Sequence, residues 1–360
     1  MKARISIPSW ARVSEPDILL GGDPEFEVRD LLTGGFVPAN RVLYDPDRDA
    51  PVGLDGASNT AELRPYPSHA PSGYVENVRK LLKSFLRNHK GYILSIKGEN
   101  VPIGGHIHIG GGSDEVTELL RDYDVLEKLV YALDFFVGSV LRRANPPARE
   151  GSSYNELGAY ECKPWGFEYR TPPASYYIHP ETVRVVYKLT RGVVKTLLRE
   201  GKLVAEKDGS IPSFKGLLRF LTEREARLFL AIPGIYWEKG EIDYTLWGVK
   251  IPEPPRVRVE FGDDWNTPNM EVFLKELKKV EDCFPKGTVL HLYGLKASRG
   301  FVFAIPRSPL RMEGDFPHPW RKGREVFAGL PYEIRMERVP SKREVREILS
   351  WIISSLKEED

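Results

Sequence analysis

The sequence predicts an α+β protein in which one face of a sheet packs on helices and the other is lined by ionisable side chains. Two observations carry that prediction. First, four strand-like segments each place two ionisable residues at i and i+2 around an apolar one. The pairs are Glu25 and Glu27 around Phe26, Glu62 and Arg64 around Leu63, His106 and His108 around Ile107, and Glu168 and Arg170 around Tyr169. Successive strand side chains point to opposite faces, so each pair shares a face and its apolar neighbour faces the other way. Second, segments of helical period alternate with these strands.

Taken in order, "PEFEVRD" alternates Phe26 and Val28 with Glu25, Glu27 and Arg29, and reads as a strand. "NTAELRPYP" follows the turn-rich "GLDGAS". Residues 73–89 carry Tyr74, Val78, Leu81, Leu82, Phe85 and Leu86 at helical spacing. "GYILSIKG" is a short apolar strand, followed by "GGHIHIGGG". One long helix is expected over 113–141, with Ser113 as its cap and Leu126, Leu129, Val130, Leu133 and Val137 inside. "WGFEYRTP" is a strand stopped by Pro172 and Pro173, and a helix follows over 180–199. Residues 201–212 read as a boundary or long connection. Beyond it, "RVRVEF" is a strand, "TVLHLYGL" and "GFVFAIP" form a hairpin across "KASR", and "WRKGRE" is a solvated turn. "SKREVREILSWIISSL" opens with a capping box, Ser341 and Glu344. The expected division is a catalytic-type domain over 1–204 and a smaller α+β module over 205–360.

Composition excludes several classes. The 52 basic and 51 acidic residues nearly cancel, leaving no electrostatic footprint for nucleic acid or an anionic membrane. The two cysteines, Cys162 and Cys283, support neither a disulfide framework nor a cysteine-rich zinc site. No apolar run has the ~18 residues of a membrane span, and the first residues do not read as a signal peptide. The expected location is cytoplasmic, with no membrane or nucleic-acid partner and the oligomeric state left open.

The ionisable face has three physical options: plain solvated surface, a salt-bridge network, or a site for divalent metal. Solvated faces draw freely on Lys, Thr, Ser and Gln, whereas these pairs use only Glu, His and Arg. A salt-bridge network leaves the histidines unexplained. Carboxylates with one or two imidazoles suit Mg²⁺ or Mn²⁺ better than structural zinc. Metals beside arginines suggest a bound polyphosphate. The glycines around the histidines fit either close approach of backbone amides to a phosphate or simple tight turns. Neither a P-loop nor a dinucleotide fingerprint is present.

The same segments carry a resemblance. "GGDPEFEV", "LDGASNTAELRPYP", "GGHIHIG" and "WGFEYRTP", in this order, resemble the amidoligases of the glutamine synthetase fold, and within them the phage-type carboxylate–amine ligases, relatives of glutamate–cysteine ligase. The resemblance covers about residues 20–200. It implies a curved, mostly antiparallel sheet of glutamine synthetase type, with metals and ATP on its concave face. It implies Glu25, Glu27, Glu62, His106 and Glu168 as metal ligands, His108 near the nucleotide phosphates, and Arg170 on the transferred phosphoryl group. Asp55 and Arg64 are implied near the substrate or its incoming amine. The implied activity is an ATP- and Mg²⁺- or Mn²⁺-dependent ligase joining small-molecule or peptide carboxylates to amines through an acyl phosphate. Competing expectations are a guanidine or carboxylate phosphotransferase, a non-catalytic metal- or nucleotide-binding scaffold, and an H-x-H metal oxygenase or hydrolase, against which the excess of glutamates argues.

The sequence departs from the family where relatives commonly place an arginine before the E-x-R strand. Glu161 and Cys162 stand there, and Arg142, Arg143 or Arg149 are the expected substitutes. Cys162 is expected as a small buried residue, His179 as a turn or capping residue, and His291 as structural. The aromatics Tyr160, Trp165, Phe167, Tyr169, Tyr176 and Tyr177 are expected to form core and rim packing.

Overall fold

In the computed structural model, the described residues are 2–31, 33–43, 50–56, 59–151 and 156–253, followed by shorter segments between 257 and 350. The strands of the first half are β1 (Lys2–Ser6), β2 (Ile18–Gly22), β3 (Glu25–Asp30), β4 (Phe36–Val37), β5 (Val52–Leu54), β6 (Ala61–Leu63), β7 (Tyr92–Ser95), β8 (Ile107–Gly111), β9 (Tyr160–Lys163) and β10 (Gly166–Tyr169). Later strands are β11 (Lys202–Asp208), β12 (Ile211–Pro212), β13 (Val257–Phe261), β14 (Thr288–Gly294), β15 (Phe301–Ala304), β16 (Arg321–Gly323) and β17 (Glu333–Met336). The helices are α1 (Pro71–Asn88), α2 (Asp114–Arg121), α3 (Tyr123–Leu133), α4 (Ser139–Leu141), α5 (Pro180–Glu200), α6 (Phe214–Leu217) and α7 (Glu223–Lys239). The chain is α+β, as expected.

Two antiparallel sheets build the centre. One has the order β2-β8-β10-β9; the other runs β4-β3-β6-β5, with β7 also paired to β3. The backbone of Glu25 joins them by donating to the carbonyl of Gly104, 2.9 Å away. Phe26, Leu63, Ile107 and Tyr169, the apolar members of the four triplets, are all fully buried. They join one core with the inward faces of the helices, including Leu129 and Leu133 of α3 and Val186, Val193 and Leu197 of α5. The alternation read from the sequence is thus the alternation of the sheet.

Helix ends follow from local chemistry. Ser113 Oγ accepts from the amide of Val116 at the start of α2. His179 caps α5 by accepting from the amide of Thr182, as its expected capping role requires. Gly201 ends α5 in the left-handed region at φ 72°. The single long helix expected over 113–141 is divided. Asp122 adopts extended backbone and its carboxylate accepts from Val125, so the residue ends α2 and caps α3 at once. A π turn at Asp134–Gly138 then separates α3 from α4.

The stretch expected to be a connection forms β11 and β12, and β11 pairs antiparallel with β1. The expected division after residue 204 therefore does not coincide with an edge of the core: Ala205, Phe229 and Trp247 are completely buried in the same cluster as Ile5 and Phe26. Trp247 is tied in by its indole N–H, which donates to the carbonyl of Tyr177. A separate five-stranded sheet follows, ordered β13-β14-β15-β17-β16. It contains the expected β14–β15 hairpin. Arg321–Gly323, read as a turn, pairs with β17 as an edge strand. Ser341, Glu344 and the side chain of His291 lie outside the described residues. Among the described residues, no helix is long and apolar enough to cross a membrane.

Trp247→Ala should lower stability by about 3–5 kcal/mol, read as a shifted midpoint of one cooperative urea transition. A second transition, leaving the rest at wild-type stability, would show that residues 205–249 fold apart from the first half.

Candidate active site

Register brings the ionisable pairs together. Across β8 and β10, His108 stands opposite Glu168. Across β3 and β6, Glu25 stands opposite Glu62. These are not solvated positions: Glu25, Glu62, His106 and Glu168 are 4%, 8%, 1% and 3% exposed, which removes the plain-surface option.

At the centre is Asp23, which the sequence reading did not single out. Its Oδ1 lies 3.4 Å from His106 Nδ1 and its Oδ2 3.2 Å from His108 Nε2. The His106 Nδ1 atom is also 3.1 Å from Glu168 and 3.8 Å from Glu25. One ligand atom each from Asp23, His108 and Glu168 falls within 4.8 Å of the others, a spacing able to hold one cation. The signal for Asp23 was present: it precedes Glu25 by two residues and extends the period of the strand backwards. Pro24 between them masks it, because proline reads as a strand boundary.

The glycines have a use that is now visible. Gly104 donates its amide to Glu25 Oε2 at 2.6 Å while its carbonyl takes the Glu25 amide. A Cβ on Gly104 would run into the imidazole of His106, and one on Gly105 into the carbonyl of Pro173. Close packing of protein on protein fills this space.

The rim holds the cations. Arg170 Nε is 3.3 Å from Glu168, and its guanidinium also reaches Glu161 at 3.1 Å. Lys163 bridges the same two carboxylates, 3.0 Å from Glu168 and 2.7 Å from Glu161. Lys163 lies on β9, a strand the sequence reading missed because the Pro164–Trp165 turn that joins it to β10 carries no Asn-Gly or Asp-Gly hairpin signal. Of the expected arginine substitutes, Arg149 is fully buried and donates to the main-chain carbonyl of Arg170, 2.8 Å away. Arg142 and Arg143 line a groove with Asn145, Glu150 and Trp237. Lys163 is the cation that β9 brings to Glu168. Cys162 is exposed rather than buried, because β9 is the outer strand of its sheet. Of the aromatics, Phe167, Tyr169, Tyr176 and Tyr177 are core, whereas Trp165 is 38% exposed with its ring 4.9 Å from that of His108.

Two predicted residues are engaged elsewhere. Glu27 is completely buried, with Oε2 held by Arg29 at 2.7 Å and Oε1 taking the amides of Asn100 and Val101. It pins the loop that leads to the histidines. Arg64 lies 2.5 Å from Glu62, and its other nitrogens donate to the carbonyls of Ala50 and Leu54. It thereby fixes the segment carrying Asp55, whose charge acts on both Glu25 and Glu62.

Burial decides the charge state of this basin. It raises the Glu25 carboxyl to about 7 against the pull of His106, with Asp55 adding to the rise. It raises Glu62 to about 8, helped by Asp23. For Asp23, burial is outweighed by hydrogen bonds to His106 and His108, which hold its carboxyl well below the usual range. Glu168 is likewise held low, burial being overcome by its bond to His106. Burial would lower His106, yet the surrounding carboxylates, Glu25 first, lift it to about 10.

A family model described as phage phiEco32-like COOH.NH2 ligase-type 2 matches residues 20–210. The chain belongs to this family of carboxylate–amine ligases. The match takes in every element that builds the basin. No curated protein matches the chain.

A carboxyl whose pKa is raised by folding binds more protons folded than unfolded, so stability falls as pH climbs through that window. Glu25 and Glu62 do this between the ordinary carboxylate value and about 7 and 8, and His106 between its ordinary value and about 10. Melting temperature measured in EDTA should therefore fall from about pH 6 to about pH 9. A flat or rising profile would contradict this electrostatic account.

Proposed function

We propose that the protein joins a carboxylate to an amine with ATP, through an acyl phosphate, on a catalytic sheet of glutamine synthetase type. The observation that carries this reading is the set Asp23, His108 and Glu168, one ligand atom each within 4.8 Å, flanked by His106, Glu25 and Glu62. These residues fit Mg²⁺ or Mn²⁺. Hard carboxylate oxygens dominate, with imidazole in support. Glu25 and Glu62 keep protons near neutral pH that a divalent ion would replace. Asp23 Oδ1 and His108 Nε2 are buried, and the groups that face them, at 3.4 and 3.2 Å, are other members of the basin. When bound, the metals offset repulsion between the substrate carboxylate and the triphosphate.

The residues of the chain then divide the work. A carboxylate oxygen of the acid substrate attacks the γ-phosphorus of ATP, and the bond to ADP breaks. The nitrogen lone pair of the amine attacks the activated carbonyl carbon. The C–O bond to phosphate breaks, an amide forms, and the amine proton leaves to base. Arg170, held at the rim by Glu161 and Glu168, takes charge developing on the phosphoryl group. His108 stands on the same side, near the phosphates. Asp55, kept beside Glu25 and Glu62 by the Arg64 latch, stands near the incoming amine. Glu27 is left out of the metal set because Arg29 and the 100–101 amides occupy it.

The test is a screen of amino-acid and peptide pairs with Mg-ATP, read as phosphate release and as condensed product by mass spectrometry. Asp23→Asn and Glu168→Gln should each cut turnover by at least ~10²-fold. Arg170→Ala should cost on the order of 10³-fold. Turnover unchanged in Asp23→Asn would overturn the reading. In contrast, Glu27→Gln should act on folding, at about 1–3 kcal/mol, because it weakens the hold on Arg29 and on the 100–101 amides while Glu99 still faces the guanidinium. Glu161 and Cys162, in place of the arginine of relatives, favour a second reading: a protein of this family that binds nucleotide without turning it over. Nucleotide binding with no phosphate release for any pair would support that reading.

A further inference from the structure

Beneath the basin lies a group of side chains that the proposed chemistry does not touch. Tyr74, Tyr176, Tyr177 and Tyr187 are all essentially inaccessible to solvent. Their hydroxyls meet in one network: Tyr74 to Tyr177 at 2.9 Å, Tyr177 to Tyr187 at 3.2 Å and Tyr176 to Tyr177 at 3.3 Å. The rings support one another, with Tyr74 stacked on Tyr187 at 4.1 Å and Tyr176 against Tyr177 at 4.5 Å.

The network leaves itself at two points. Tyr187 donates to the carbonyl of Gly21 and Tyr176 to the carbonyl of Gly105, each at 2.9 Å. Gly21 lies two residues before Asp23, and Gly105 immediately precedes His106. Between them, Gly22 packs so closely on the hydroxyls of Tyr187 and Tyr74 and on the carbonyl of His106 that a Cβ there would collide with all three.

Each phenol carries one proton. Tyr187 and Tyr176 spend theirs on the two glycine carbonyls, so the protons of Tyr74 and Tyr177 are left to bond among the four oxygens. The network therefore ends on the carbonyl that precedes His106 and on the one two residues before Asp23. Burying a hydroxyl without a partner costs free energy that a phenylalanine would avoid. Four buried hydroxyls that each need and find a partner therefore call for a reason beyond filling the core.

We propose that Tyr176 and Tyr187 are positioning residues, which hold the Gly21–Asp23 and Gly105–His106 backbone so that Asp23 faces both imidazoles and the cation basin stays in register. Neither hydroxyl touches the reacting groups. The proposal rests on the ligase reading for its purpose, since outer partners of metal ligands fix their orientation and affinity.

The experiment compares Tyr176→Phe and Tyr187→Phe with Tyr244→Phe. Tyr244 is an equally buried phenol whose hydroxyl bonds to the amide and carbonyl of Leu94. All three variants lose a buried hydrogen bond, so all three should lower the melting temperature. Two readouts separate positioning from mere stability: the ¹⁵N resonances of the imidazole rings in metal-free protein, and affinity for Mn²⁺ alone. Tyr176→Phe and Tyr187→Phe should shift His106 and His108 and weaken Mn²⁺ by about tenfold or more, and Tyr244→Phe should change neither. Wild-type imidazole resonances in both Tyr176→Phe and Tyr187→Phe would overturn the proposal. If the wild-type protein takes up no Mn²⁺, the ligase reading fails, while the imidazole resonances still decide the positioning role.

Discussion

The basin depends on how the charge of one carboxylate is held. Asp23 keeps its negative charge in a buried place because two imidazoles face its two oxygens. Around it, burial drives Glu25 and Glu62 towards the neutral form. The cluster thus holds more carboxyl groups than imidazoles at its centre, and guanidinium and ammonium groups at its rim, from Lys163, Arg170 and Arg64. A chain optimised for stability alone would replace such a group by apolar packing. Its place beneath a cationic rim is the physical basis of the proposed divalent ion and triphosphate.

Ionisable residues of similar appearance serve two ends. Glu25 and Glu27 look alike in sequence, on one strand and one face. They part because Arg29 follows Glu27 at the same spacing and the 100–101 amides reach its other oxygen, whereas Glu25 is held by a single glycine amide and left facing His106. Arg64 and Arg170 divide in the same way. Arg64 is held by main-chain carbonyls as well as by Glu62, whereas Arg170 reaches the carboxylates of Glu161 and Glu168.

Much of this was legible before any coordinates. The period-two pairs named the strands, and the apolar residues between them proved to be core. His106, His108, Glu25, Glu62 and Glu168 converge as their spacing implied. Asp23 escaped because a proline follows it, and Lys163 because the Pro164–Trp165 turn after it has no hairpin signal. The break at Asp122 was hidden because a capping aspartate in a continuous apolar period looks like a helix interior. Residues 205–249 join the first core through pairings distant in sequence, such as β11 with β1, which local pattern does not encode.

That last pairing also bears on how the molecule is made. Lys2 of β1 lies opposite Glu206 of β11, so during synthesis β1 waits for a strand far along the chain before its edge is satisfied. Throughout that interval it presents unpaired backbone groups, a template for association with other nascent chains. Its charged Lys2 and Arg4, set between Ala3 and Ile5, discourage such encounters until the sheet closes.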